Sequence, residues 1–207
     1  MNILVSGDLS CLTPALVSGF LKERFKIVLA GSDVNAAAFQ APNVSVHQIS
    51  PSTDHFVEIV SAYKFDAVVY LPTREEQQMV GGGNNSGHYL DGLLNVLEVC
   101  KKEGILKIFY ISSTEVYGEQ EYLFESEGTL PASVNGLSLK AGEQYCVHYS
   151  EKFGICPTIL RIPFLYGPEE KNTFLHHVIR KFVERKKVIF PAPENVLCNF
   201  LHSADVV

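Results

Sequence analysis

Short apolar runs recur along the chain, and each is followed by a stretch with helical spacing. Residues 2–5 (NILV) form a buried-strand run that ends at Ser6-Gly7. Residues 14–23 read as a helix, with Pro14 suited to its first turn. Further strands are expected at 26–30, 44–48, 66–71, 106–111 and 158–162, and a short one at 188–190. Ser52-Thr53-Asp54 can cap a helix running to Ala62. Leu90, Leu93, Leu94 and Leu97 share one face of a helix expected over 89–102 and closed by Gly104. Helices are also expected over 141–152, ending at Gly154, and over 174–184. Strands apolar on both faces and separated by helices require a parallel sheet covered on both sides. The expected fold class is therefore α/β with a doubly wound parallel sheet. The longest irregular stretches, 72–88 and 117–134, both follow strands, where such a sheet forms its ligand crevice.

Composition supports this picture. The chain has 207 residues, 46% hydrophobic and 19% charged, which is ordinary globular composition. It excludes a disordered chain, a collagen-like repeat and a coiled coil. One domain spanning 1–207 is expected. No apolar run approaches the ~20 residues of a membrane helix, and the opening MNILVSGD lacks the basic region of a signal peptide. A net charge of −6 argues against nucleic acid as a partner. Five cysteines (11, 100, 146, 156 and 198) are scattered with no C-x-x-C, as in reduced cytoplasmic proteins. His176 and His177 are adjacent and point about 100° apart on a helix, so no metal site is expected.

Several segments resemble the extended short-chain dehydrogenase/reductase family, the NAD-dependent epimerase/dehydratases of nucleotide sugars. NILVSG resembles that family's first strand and turn, and YISSTEVYG (110–118) its active-site strand. Residues 135–170 resemble its catalytic helix, sixth strand and R-x-P-x-x-Y-G-P loop, and NFLHSADVV (199–207) resembles its FIHVDDV segment. The resemblance runs the length of the chain in order. It implies a Rossmann-type domain and NAD or NADP as cofactor. It also implies a nucleotide-sugar ligand, and a homo- or hetero-oligomer formed through helices 89–103 and 135–152. Family chains continue by roughly another domain, within ~50–200 residues. The resemblance therefore implies that most of the C-terminal substrate domain is absent, leaving apolar surface near 164–207.

The chain departs from the family at the positions that carry its chemistry. The cofactor loop G-x-x-G-x-x-G reads Gly7-Asp8-Leu9-Ser10-Cys11-Leu12-Thr13, with only the first glycine kept. The acid that holds the adenosine ribose falls on Gly31, followed by Ser32 and then Asp33, and the Asp after the third strand falls on Ser50. The resemblance places Gly7, Ser10, Leu12, Gly31, Ser32, Leu71 and Pro163 along the dinucleotide. Ser113, with Thr114, matches the catalytic Ser/Thr position, and Glu115 matches the Glu of the S-x-E-V-Y-G form. The family's catalytic Tyr falls on Asn135 and its Lys on Leu139, with Lys140 one position late. One residue is about 100° of helix rotation, which turns Lys140 from the pocket. The helix Asn of the family falls on Tyr89. Fold-specific Arg161, Pro163, Tyr166, Gly167 and Pro168 are kept.

Three functions are compatible with this pattern: one is a domain of a larger enzyme whose chemistry lies elsewhere in the chain, and the other two concern this domain itself. The first is a degenerate family domain without the usual hydride chemistry, acting as a binding, scaffolding or regulatory module. The second is an active NAD(P)-dependent epimerase, dehydratase or reductase with a site rebuilt around Ser113 and Glu115.

Overall fold

The computed structural model describes residues 1–9, 12–32, 34–72, 90–119, 123–168, 174–187 and 198–207. Six strands form one parallel sheet: β1 (Asn2–Gly7), β2 (Lys26–Gly31), β3 (Val44–Gln48), β4 (Ala67–Leu71), β5 (Lys107–Ser113) and β6 (Cys156–Ile162). Their order is β3-β2-β1-β4-β5-β6. The order reverses between β1 and β4, and there Gly7 pairs with Leu71. This is the switch point, where doubly wound sheets open a crevice at the strands' carboxyl ends.

Alternation along the strands divides the core between two faces. Leu4, Val28, Val68 and Tyr70 join one cluster with Phe56, Leu93, Leu97 and Tyr149. Ile3, Val5, Ile27, Leu29 and Leu71 join another with Leu16 and Val17. The first face is covered by α2 (Asp54–Ser61), α3 (Asp91–Glu103) and α4 (Val134–Phe153), and the second by α1 (Thr13–Lys22).

Helix α4 begins seven residues before the expected start at 141. The Ser133 side chain accepts a hydrogen bond from the Gly136 amide at 2.9 Å and caps the helix. Gly136 and Gly142 then bring α4 close to the sheet. A Cβ at Gly136 would lie 2.7 Å from the Glu115 carbonyl oxygen, and one at Gly142 would collide with the Tyr110 hydroxyl. Glycines in left-handed geometry close α3 (Gly104, φ 69°) and α4 (Gly154, φ 71°).

A second, two-stranded sheet pairs β7 (Phe164–Tyr166) with β8 (Phe200–His202), neither of which was expected. Helix α5 (Phe174–Val183) follows β7 in the chain and exposes Ile179, Phe182 (79%) and Val183. Phe164 and Phe200 are also exposed. The strand expected at 188–190 lies outside the described residues, as do Ser10, Cys11, Asp33 and Tyr89. Among the described residues no helix is long and apolar enough to cross a membrane.

Candidate functional site

A cleft of about 310 Å³ opens at the switch point. Its floor is made by the ends of β1, β4 and β5, at Asp8, Leu71, Pro72 and Ser112. One wall carries Ser113, Glu115, Asn135 and Leu139, and the other Pro163, Phe164 and Leu165. Of the residues the sequence singles out, the fold thus brings together Leu12, Leu71, Ser113, Glu115, Asn135 and Pro163.

Gly7 is required by the geometry of the floor. Its φ is +106°, and a Cβ there would collide with the Leu71 carbonyl. That carbonyl accepts the Asp8 amide at 2.9 Å.

The Ser113 side chain accepts the Glu115 amide at 3.2 Å and opens a short 3-10 turn, Thr114–Tyr117. The turn aims Glu115 at the start of α4. Glu115 Oε2 accepts from Ser133 Oγ at 2.8 Å and from Asn135 Nδ2 at 2.9 Å. Since a carboxylate only accepts, this fixes the Asn135 amide with its nitrogen toward Glu115. Asn135 Oδ1 is buried and has no hydrogen-bond partner among the described residues.

Leu139 takes the lining position one helical turn beyond Asn135 and is 4% exposed. Lys140 does not line the cleft. Its ammonium stands 3.6 Å from Glu143 Oε2, one turn along the same helix. Among the described lining residues there is neither a lysine nor a tyrosine. Thr114, Gly31 and Ser32 also lie outside the lining. Ser32 is exposed just beyond β2.

Beneath the cleft lies a buried ionic cluster that the sequence reading did not assign. Glu143 accepts from Arg161 Nε at 2.9 Å, from Arg161 Nη2 at 2.8 Å and from Ser112 Oγ at 2.7 Å. Burial pushes the Glu143 carboxyl up. The hydrogen bonds from Arg161 and Ser112, with the charges of Arg161 and Lys140, outweigh it and hold the group below its usual range. Arg161 Nη1 also donates to the Tyr117 hydroxyl at 2.9 Å, with the guanidinium 4.8 Å from the ring centre. The cluster ties α4, β5, β6 and the 3-10 turn together under the cleft wall. Arg161, Glu143 and Ser112 are 18 to 49 residues apart in the chain, so no local spacing signals their contact.

The loop after β1 holds a further residue to which the sequence motif assigns no role. Leu9, an unremarked position of the loop motif, is 2% exposed and packs with Leu12 and Val34. A Cβ at Gly31 would lie 2.8 Å from Leu9 Cγ and Cδ1, and 2.6 Å from the Gly7 carbonyl oxygen. Leu9 therefore fills the space above the end of β2, where dinucleotide-binding sheets keep an acid for the ribose hydroxyls. Leu12, at the N-cap of α1, offers no side-chain cap. These residues do not fit the adenosine end of a dinucleotide. Among the described residues no three His, Cys, Asp or Glu groups are placed to hold a metal ion.

Comparisons with known proteins agree with the fold. A sequence model described as "NAD dependent epimerase/dehydratase family" matches residues 3–207. An uncharacterized UDP-glucose epimerase of Bacillus subtilis is 27% identical over 124 residues, which is 59% of this chain and 39% of the relative. A putative UDP-glucose 4-epimerase of Methanocaldococcus jannaschii is 34% identical over 122 residues, 56% of this chain and 40% of the relative. The matched part thus spans about two fifths of those curated relatives. UDP-glucuronic acid 4-epimerase of Bacillus cereus, solved with UDP-glucuronic acid and NAD, superposes with a TM-score of 0.84 at 22% identity, over 100% of this chain and 70% of that one. UDP-glucose 4-epimerase of Thermotoga maritima, solved with UDP-glucose, gives 0.85 at 20% identity, over 100% and 71%.

Proposed function

This chain belongs to the NAD dependent epimerase/dehydratase family, and on that premise we propose that it is a binding module of the family without hydride chemistry. One observation carries the reading. Leu139 fills the lining position at which the family resemblance places a lysine, while Lys140 is turned to Glu143. Asn135 stands where the phenol would be and donates to Glu115. An amide does not titrate usefully, so this pair cannot move a sugar proton as a phenol beside an ammonium does.

The ligand proposed is a nucleotide sugar, held by its sugar end. Ser113, Glu115 and Asn135 offer hydroxyl, carboxylate and amide groups suited to sugar hydroxyls. Phe164 and Leu165 offer an apolar wall. The proposed assembly is an oligomer through α3 and α4, where Leu137 and Tyr145 are exposed on α4. A cytoplasmic setting accords with the four free cysteines among the described residues.

A second reading keeps catalysis at Ser113 and Glu115, since both line the cleft. It is disfavoured because Glu115 Oε2 is already held by Ser133 and Asn135. Incubating the purified chain with UDP-glucose or UDP-glucuronic acid, with NAD⁺ or NADP⁺ added, separates the two. The expected result is saturable sugar-nucleotide binding by calorimetry and no new sugar by chromatography. Turnover above the protein-free control would overturn the proposal.

A further inference from the structure

We propose that Leu9 is a built-in occupant of the adenosine subsite, so that the cleft takes a ligand without NAD or NADP. The inference rests on the reading that hydride chemistry is absent, and it names the residue that keeps the cofactor out.

Loop residues after a strand are ordinarily on the surface. Leu9 sits in such a loop, between Asp8 and Ser10, yet is 2% exposed. Its side chain rests on Gly31, the last residue of β2, and joins the same apolar cluster as Leu12, Val34 and Leu29. The lack of a side chain at 31 and the presence of a large one at 9 are complementary, and the Gly7 carbonyl oxygen, 2.6 Å from a Cβ at 31, also calls for the glycine. A bare glycine at 31 would leave a cavity if residue 9 were small. An acid at 31 would strike Leu9 Cγ and Cδ1, where a Cβ alone already comes to 2.8 Å. The packing is thus built for a closed subsite.

Leu9 does not line the cleft, whose residues run from Asp8 and Leu12 to Glu115 and Phe164. At about 310 Å³ the cleft sits at the lower edge of the roughly 300–1,000 Å³ usual for small-molecule sites. It suits the single sugar ring of a nucleotide sugar. A dinucleotide would have to return Leu9 to water first, which weakens its binding by roughly 10- to 100-fold.

Calorimetric titration of the whole chain with NAD⁺, NADP⁺ and UDP-glucose tests this, with Leu9→Ala and Leu9→Val as variants checked for folding by circular dichroism. Valine keeps a branched apolar side chain and removes the δ carbons, including the Cδ1 that meets Gly31, so it serves if alanine disrupts the core. The wild-type protein is expected to show no saturation by NAD⁺ up to about 1 mM. The folded variants are expected to bind NAD⁺ at least about tenfold more tightly, alanine more than valine, with UDP-glucose affinity unchanged. Micromolar NAD⁺ binding by the wild type would overturn the inference, as would folded variants that bind no better. NAD⁺ binding by the wild type without sugar turnover would sink this inference alone; turnover would sink the functional reading.

Discussion

Removing the Arg161 side chain from the cluster beneath the cleft is a direct test of what holds the site's walls in place. In Arg161→Met the Glu143 carboxylate stays buried, with its side chain 1% exposed, and loses two hydrogen bonds of 2.8 and 2.9 Å. Ser112 at 2.7 Å and the Lys140 ammonium at 3.6 Å remain. Stranding one member of a buried ion pair costs about 3–5 kcal/mol. The residual Lys140 charge places this case at the lower end, near about 3 kcal/mol. Loss of the guanidinium from the Tyr117 face adds roughly 0.5–1 kcal/mol. A domain with ~5–15 kcal/mol of stability survives that loss and can still be measured. With a urea slope of about 2 kcal/mol/M, the midpoint falls by roughly 1.5–2 M. The partner experiment is Glu143→Leu with Arg161→Met. Replacing both charges by apolar groups restores most of the loss, to within about 1–2 kcal/mol of wild type. Urea unfolding followed by circular dichroism reads all three proteins. A single-variant loss below about 1 kcal/mol, or a double variant no more stable than Arg161→Met, would refute the assignment.

Ser133→Ala removes the α4 cap and one of the two donors to Glu115, and is expected to lower stability by about 1–2 kcal/mol, or roughly 2–8 °C in a thermal melt. Because the Glu143 carboxyl is held below its usual 4.5, its contribution is complete above that pH and is lost as pH falls through the lowered value. In Arg161→Met burial is opposed only by Ser112 and Lys140, so this acid-side loss is expected to vanish and the variant to recover stability relative to wild type as pH falls, read as unfolding free energy against pH. Of the four described thiols, Cys156 and Cys198 are exposed, while burial pushes Cys100 and Cys146 up to about 12. A thiol reagent near neutral pH is therefore expected to label Cys156 and Cys198 first, with the other two modified only on unfolding, as mass mapping would record.

The sheet was legible because β1 and β4 are apolar on both faces and stop at Gly7 and at Leu71-Pro72. The start of α4 was not. Asn135, Gly136 and Ser138 are weak helix formers, and what makes them helical is a tertiary fit: the Ser133 cap and the close seat of Gly136 on the Glu115 carbonyl. The three-residue strands Phe164–Tyr166 and Phe200–His202 are too short for a period to be read, and they are paired across 36 positions. At the site, the motif positions Ser113, Glu115 and Asn135 were found because the family spacing marks them. Leu9 was passed over because the loop motif weighs its glycines and leaves the residues between them free. Its significance lies in its packing against Gly31, which follows it by 22 positions.

The two glycines under α4 have a consequence for redesign. Gly136 and Gly142 set the height of the helix above the sheet, and with it the depth to which residues 135 and 139 reach into the cleft. That height is fixed by backbone against backbone and ring, not by the identity of the side chains that face the cleft. The address of a phenol and an ammonium is therefore still written in the scaffold, although neither group is there. Retrofitting chemistry to this domain is a problem of side chains: Asn135 and Leu139 could be exchanged on a helix already at the right level, and the harder part is a new partner for the Glu115 oxygen that Asn135 now occupies.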